Sequence, residues 1–86
     1  MTKSLFTDAH RAVVEVLVKA RHDAGLLQAD LAKCVGKDQS YISNIERYQR
    51  RVDVVEFYDL ARAMNLDPVD LFRLAAGNID KLQNTT

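Results

Sequence analysis

Proline occurs once and glycine three times in these 86 residues. That scarcity leaves little room for strands joined by tight hairpins and points to an all-α fold. A single cysteine, Cys34, excludes an intrachain disulfide and cannot by itself make a thiolate metal site, which suits a reducing cytoplasm. No apolar run approaches membrane-spanning length, and Glu15 interrupts the longest candidate, Ala12 to Val18. The first residues lack the pattern of a cleavable signal peptide. His10 and His22 stand too far apart, with too few companion ligands, to suggest a metal centre, so no metal or cofactor is expected. There is no glycine-rich phosphate loop and no arguable Ser/His/Asp or Cys/His arrangement, so catalysis is not expected.

Excess charge is also missing. Twelve Lys and Arg balance twelve Asp and Glu, which argues against a nucleic-acid partner, because such proteins are usually basic. The distribution softens the objection. Residues 1–25 carry a net +1, residues 26–51 a net +2, and residues 52–86 a net −3. Such a dipolar chain can present one basic face, with weak non-specific affinity for a polyanion.

What is present is helical periodicity on the scale of one domain. Residues 1–6 read as a short arm, 7–76 as the domain and 77–86 as a tail. Thr7 or Asp8 caps a first helix to about Asp23, with Ala9, Val13, Val16, Leu17 and Ala20 on one side and Val14 and Val18 widening the apolar surface. Gly25 ends that helix. Gln28 opens a second one, with Leu31, Ala32 and Val35 inward and Cys34 read as a small half-buried hydrophobe. Asp53 caps a fourth helix through Met64, with an inner stripe of Val54, Phe57, Leu60, Ala61 and Met64, and Asn65 stops it. Asp67-Pro68 starts a fifth helix, with Leu71, Phe72 and Ala75 inward, and Gly77-Asn78 is expected to end it.

The chain is organised around Leu27 to Arg51, LQADLAKCVGKDQSYISNIERYQRR, two short helices about a tight turn at Val35-Gly36-Lys37. Gly36 can supply the positive backbone angle of that turn, and Asp38 resembles the cap of the helix that follows. At about 100° per residue, Gln39, Ser40, Ser43, Asn44 and Arg47 fall within an arc of roughly 140°, while Tyr41, Ile42 and Ile45 point away. One side can be buried; the other is a row of short hydrogen-bonding groups ending in a cation, the requirement for a helix in a DNA major groove. A merely solvated polar face is the alternative, but exposed helices are usually filled with Lys/Glu pairs, and none occupies Gln39 to Asn44.

The ordered set Gln28-Ala29-Asp30-Leu31-Ala32, Val35-Gly36, Gln39-Ser40-Tyr41-Ile42-Ser43 and Ile45-Glu46-Arg47 resembles the lambda-repressor-like (Cro/repressor, XRE-type) helix-turn-helix family. Arg50 to Phe57 and Ala61 to Pro68 continue the match, which covers about Val16 to Phe72. The resemblance implies a compact five-helix DNA-binding domain with the helix-turn-helix at helices 2 and 3. It implies DNA base contacts from Gln39, Ser40 and Asn44; Ser43 reads as base edge, phosphate or solvent. Gln28 would touch the DNA backbone from the positive end of its helix and brace Gln39. Lys37, Arg47, Arg50 and Arg51 are phosphate candidates, with Lys33 the weakest of the set. Tyr48 stands where the family commonly has glycine; it either covers the helix end or reaches the sugar-phosphate backbone. Arg21 and Glu46 match a structural ion pair that orients the recognition helix.

The function expected is therefore a sequence-specific transcriptional regulator in the cytoplasm, nucleoid-associated when bound. It would act as a repressor on a partly palindromic operator of double-stranded DNA, as a homodimer with Leu74, Ala76, Ile79 and Leu82 at its interface. The alternative is an antitoxin-like or adaptor protein that uses the same fold to bind a protein partner.

Overall fold

The computed structural model describes residues 7–83; the expected arm, residues 1–6, and the last three residues of the expected tail lie outside that range. Five helices account for the fold: α1 Asp8–Asp23, α2 Gln28–Cys34, α3 Gln39–Glu46, α4 Val54–Ala63 and α5 Pro68–Gln83. Four of the five starts, those of α1, α2, α4 and α5, have a local side-chain cause. The Thr7 hydroxyl accepts the His10 N–H at 3.1 Å, and Asp30 accepts the Leu27 N–H at 2.9 Å. Asp53 accepts from Glu56 N at 2.7 Å while Glu56 accepts from Asp53 N at 3.0 Å, a reciprocal capping box. Asp67 accepts the Val69 N–H at 2.8 Å at the head of α5.

Four helix ends share one device. A residue with positive φ turns the chain, and the next N–H reaches back to the carbonyl five residues earlier. Gly25 (φ 71°) lets Leu26 bond Arg21 O, and Gly36 (φ 72°) lets Lys37 bond Ala32 O. Tyr48 (φ 62°) and Asn65 (φ 65°) do the same for Gln49 to Asn44 O and Leu66 to Ala61 O. The Gly36 turn sets the angle between α2 and α3.

The helices enclose one core, built from Val14, Leu17 and Ala20 of α1, Leu31 and Ala32 of α2, Ile42 and Ile45 of α3, Phe57, Leu60 and Ala61 of α4, Met64, and Leu71 and Ala75 of α5. Val14 lies in this core and is fully buried. Helix α5 packs along α1 and α4, and α3 is held between α1 and α2.

Four expectations are corrected. Helix α5 does not end at Gly77-Asn78 but continues to Gln83. Gly77 does not take positive φ, and Leu71, Ala75, Ile79 and Leu82 keep helical spacing through it, so packing outweighs the glycine penalty of about 1 kcal/mol. Val54 is 84 % exposed rather than inward, because it opens α4 ahead of the turn that meets the core. Phe72 is half exposed and meets Phe57 of the core edge-on, centroids 5.8 Å apart. Cys34 is exposed: it sits about 110° from the centre of the arc that Leu31, Ala32 and Val35 turn inward.

Candidate nucleic-acid interface

Helix α3 is pinned from beneath and open above. Ile42 and Ile45 are 2 % exposed, whereas Gln39, Ser40 and Arg47 are exposed and Ser43 and Asn44 half-buried. Below its far end lies the pair formed by Arg21 of α1 and Glu46: Nε to Oε2 at 2.6 Å and Nη2 to Oε1 at 2.9 Å, with side chains 9 % and 12 % exposed. Arg21 also donates to Leu26 O at 2.8 Å, so one guanidinium ties α1, the α1–α2 turn and α3 together.

The network continues toward solvent. Gln28 Nε2 donates to Glu46 Oε1 at 2.8 Å, and Gln39 Nε2 donates to Gln28 Oε1 at 3.3 Å. Gln28 therefore bridges the last and first residues of α3, and Gln39 stands at the open end of a chain rooted in a buried ion pair.

The remaining polar groups on α3 are engaged locally. The Ser40 hydroxyl donates to the carboxylate of Asp38, the residue at the head of α3, and this bond, followed by backbone N–H groups, holds the Asp38 carboxyl below its usual range. Asn44 Oδ1 accepts from Arg47 Nη2 at 2.8 Å, and Arg47 folds back along the helix with Nε 3.4 Å from Ser43 O.

Arg50 is committed to the fold. It grips Glu56 through Nη1 to Oε1 at 2.9 Å and Nη2 to Oε2 at 2.7 Å, and lies 4.7 Å from the Tyr41 ring centroid. The pairing raises the Arg50 pKa and lowers that of Glu56; burial, with Glu56 nearby, pushes the Tyr41 phenol up. Lys37 approaches the Tyr41 ring to 5.5 Å, so two cations flank one aromatic ring next to the exposed face. Lys33, Lys37 and Arg51 are exposed. Tyr48 is half-buried against the core, with the Arg11 guanidinium 4.3 Å above its ring. Neither Arg11 nor the Arg50–Glu56 link was among the sequence candidates. Both join residues across a turn or between distant helices, where spacing carries no signal.

The expected interface residues Leu74, Ala76, Ile79 and Leu82 all lie on α5; Leu74 and Leu82 are exposed and Ala76 and Ile79 half-buried. A second apolar surface lies elsewhere, a cavity of about 480 Å³ between α4 and the head of α5, lined by Val54, Phe57, Tyr58, Val69 and Phe72 among others. Among the described residues no group of three His, Cys, Asp or Glu could hold a metal ion, and no helix is long and apolar enough to cross a membrane.

A helix-turn-helix family model matches residues 17–71. The chain is also 36 % identical to an XRE-family-like protein from Pseudomonas syringae pv. tomato str. DC3000, with a TM-score of 0.77 over 81 % of this chain and 85 % of that one. It belongs to the XRE-type helix-turn-helix family of transcription regulators. This helix-turn-helix regulator is similar as well to the restriction-modification controller protein C.AhdI from Aeromonas hydrophila, 37 % identical with a TM-score of 0.66 over 76 % of this chain and 97 % of that one. An uncharacterized HTH-type transcriptional regulator, y4dJ, of Sinorhizobium fredii is 31 % identical over 64 residues, 74 % of this chain and 83 % of the relative.

Proposed function

We propose that this regulator binds a partly palindromic operator as a homodimer, with α3 in the major groove, and represses by excluding polymerase. The carrying observation is the exposed face of α3 rooted in a buried network: Gln39 is backed by Gln28, Glu46 and Arg21. A fixed amide suits base reading, because orientation is settled before contact. Gln39 and Asn44 read base edges, with Ser40 and Ser43 beside them. For Ser40 and Asn44 this requires exchange of the bonds to Asp38 and Arg47 for bonds to DNA.

Gln28, Lys37, Arg47 and Arg51 meet phosphates, and Lys33 lies at the margin. Arg50, engaged by Glu56, braces the loop, and Tyr48 covers the end of α3. The dimer forms through the α4–α5 surface, where four large side chains (Val54, Tyr58, Val69 and Phe72) are exposed. That is a larger apolar group than Leu74 and Leu82, which lie elsewhere on α5. The same exposed surface would serve an antitoxin-like or adaptor protein, with a different chain in place of the second copy.

Selection from a random-sequence duplex pool at two salt concentrations tests the reading. A paired half-site motif is expected, with affinity falling steeply as salt rises. Flat enrichment with micromolar or weaker affinity would reject operator binding and favour the protein-partner reading.

A further inference from the structure

Three arginines bond to or stack on side chains of α3, and they are held in unlike ways. Arg21 and Arg50 are each gripped by a glutamate. Arg47, next after the last residue of α3, is exposed and pairs with no carboxylate among the described residues. Its guanidinium rests on two neutral acceptors: Asn44 Oδ1, 2.8 Å from Nη2, and Ser43 O, 3.4 Å from Nε. The first contact fixes the polarity of the Asn44 amide, because a guanidinium only donates and so draws the oxygen rather than the NH₂. Asn44 is left with donors to offer. Adenine presents an acceptor and a donor in the major groove, N7 and N6–H, and calls for both ends of the amide; guanine presents two acceptors, N7 and O6. The second lone pair of Oδ1 does not restore the match, since Arg47 sets its own N–H donors beside it, against the adenine N6–H. While Arg47 stays on Asn44, the amide is poorly matched to adenine.

A phosphate removes this obstacle. It is an anion, and a charge-assisted bond from arginine to it is stronger than one to a neutral amide oxygen. Arg21 and Arg50 would have to abandon a carboxylate to take it, whereas Arg47 gives up only neutral partners. We infer that Arg47 is a latch on Asn44, withholding the amide oxygen until a DNA phosphate draws the guanidinium away. Adenine is then read at the Asn44 position only where that backbone contact is made. In a complex out of register, with no phosphate in reach of Arg47, the amide stays latched and the preference for adenine is lost. Arg47 is thus a specificity-determining residue that acts through Asn44, and the latch rests on the reading that Asn44 contacts a base and Arg47 a phosphate.

The test is binding of the full-length protein, wild type, Asn44→Ala and Arg47→Met, to the selected operator and to variants with each base at every half-site position. Each duplex is made with ordinary phosphates and with single methylphosphonates, which remove one backbone charge at a time. Asn44→Ala identifies the base position, as the one whose preference it flattens. Arg47→Met keeps an unbranched stem but cannot donate, and identifies the phosphate as the one whose neutralisation no longer costs affinity. On ordinary DNA the wild type should favour adenine over guanine at the Asn44 position by roughly tenfold or more. Neutralising the Arg47 phosphate should shrink that ratio to about threefold or less in the wild type. Arg47→Met should bind more weakly overall yet keep the full ratio on both backbones, because nothing then holds Oδ1. A wild-type ratio that the methylphosphonate leaves unchanged overturns the latch. So does an equal fall in Arg47→Met, which would mean that the phosphate acts without Arg47. If Arg47→Met fails to fold, the wild-type scan decides: a set of methylphosphonates none of which lowers the ratio overturns the latch. Guanine as the wild-type preference on ordinary DNA overturns it too. If Asn44→Ala flattens no position, base reading by Asn44 is itself wrong and the latch falls with it, whereas a wild type that selects no motif rejects operator binding as a whole.

Discussion

Arg50 carries a charge beside the recognition helix, yet the groups around it draw that charge inward. A bidentate grip on Glu56, a bond to Arg51 O at 2.9 Å and the face of Tyr41 leave it holding the basic loop against α3 and the head of α4. Lysine could not reproduce this, since it lacks the planar fork. The pair also gives stability a pH dependence of definite sign. Glu56 is depressed by the Arg50 hydrogen bond. Its contribution is fully present above the ordinary glutamate range and is lost as pH falls through the lowered folded value. Thermal midpoints of wild type and Glu56→Gln should differ most near pH 7 and converge as pH drops toward 3; a constant gap would mean that the ion pair is not its source. Residue types were legible here in part. Asp53 followed by Glu56 is a readable capping signature, but nothing in the spacing marks Glu56 as the partner of Arg50, because an irregular loop brings them together.

Helix ends show most plainly what sequence can and cannot convey about the fold. Gly25, Gly36 and Asn65 mark three stops by residue type, since glycine and asparagine tolerate positive φ. Tyr48 adopts the same conformation at 62° without that advantage, and half-burial under Arg11 offsets the strain. Tyr48→Gly should therefore be more stable than Tyr48→Ala by about 1 kcal/mol, since both lose the ring and only alanine keeps the left-handed cost; equal unfolding midpoints in denaturant would contradict it. Gly77 errs the other way. It resembles a stop, but its conformation is helical and a Cβ there would meet nothing within 4 Å. Gly77→Ala should raise stability by roughly 0.5–1 kcal/mol, seen as a melting point a few degrees higher. A lower melting point would show that the position is not as open as its geometry indicates. Periodicity decides what a local breaker cannot: α5 persists because its apolar stripe continues past the glycine. The exposure of Val54 and Phe72 was hidden for a related reason, because a stripe gives direction around a helix but not how far a neighbouring helix extends to cover it.

At the scale of the molecule, the domain measures 41 × 29 × 21 Å, so two copies side by side can place their α3 helices near the 34 Å of one DNA turn. A single α3 reads few base pairs, and the low net charge limits non-specific attraction. On the proposed reading discrimination depends on coupling two half-sites, through the apolar α4–α5 surface. Val69 tests it cleanly. It is 63 % exposed in the first turn of α5 and lines the groove. Aspartate there removes apolar area from the interface without opening the core, and a carboxylate near a helix N-terminus is tolerated. Val69→Asp should therefore melt within about 0.5 kcal/mol of wild type, as surface changes do, yet sediment as a monomer. Its affinity for the paired operator should fall at least about tenfold, since the second half-site no longer acts at high effective concentration, while affinity for an isolated half-site stays unchanged. If Val69→Asp keeps the wild-type mass and paired-site affinity, the dimer does not use this surface. Leu74→Asp would then be the variant to move the same two quantities, because Leu74 and Leu82 are the exposed apolar residues remaining on α5 outside it.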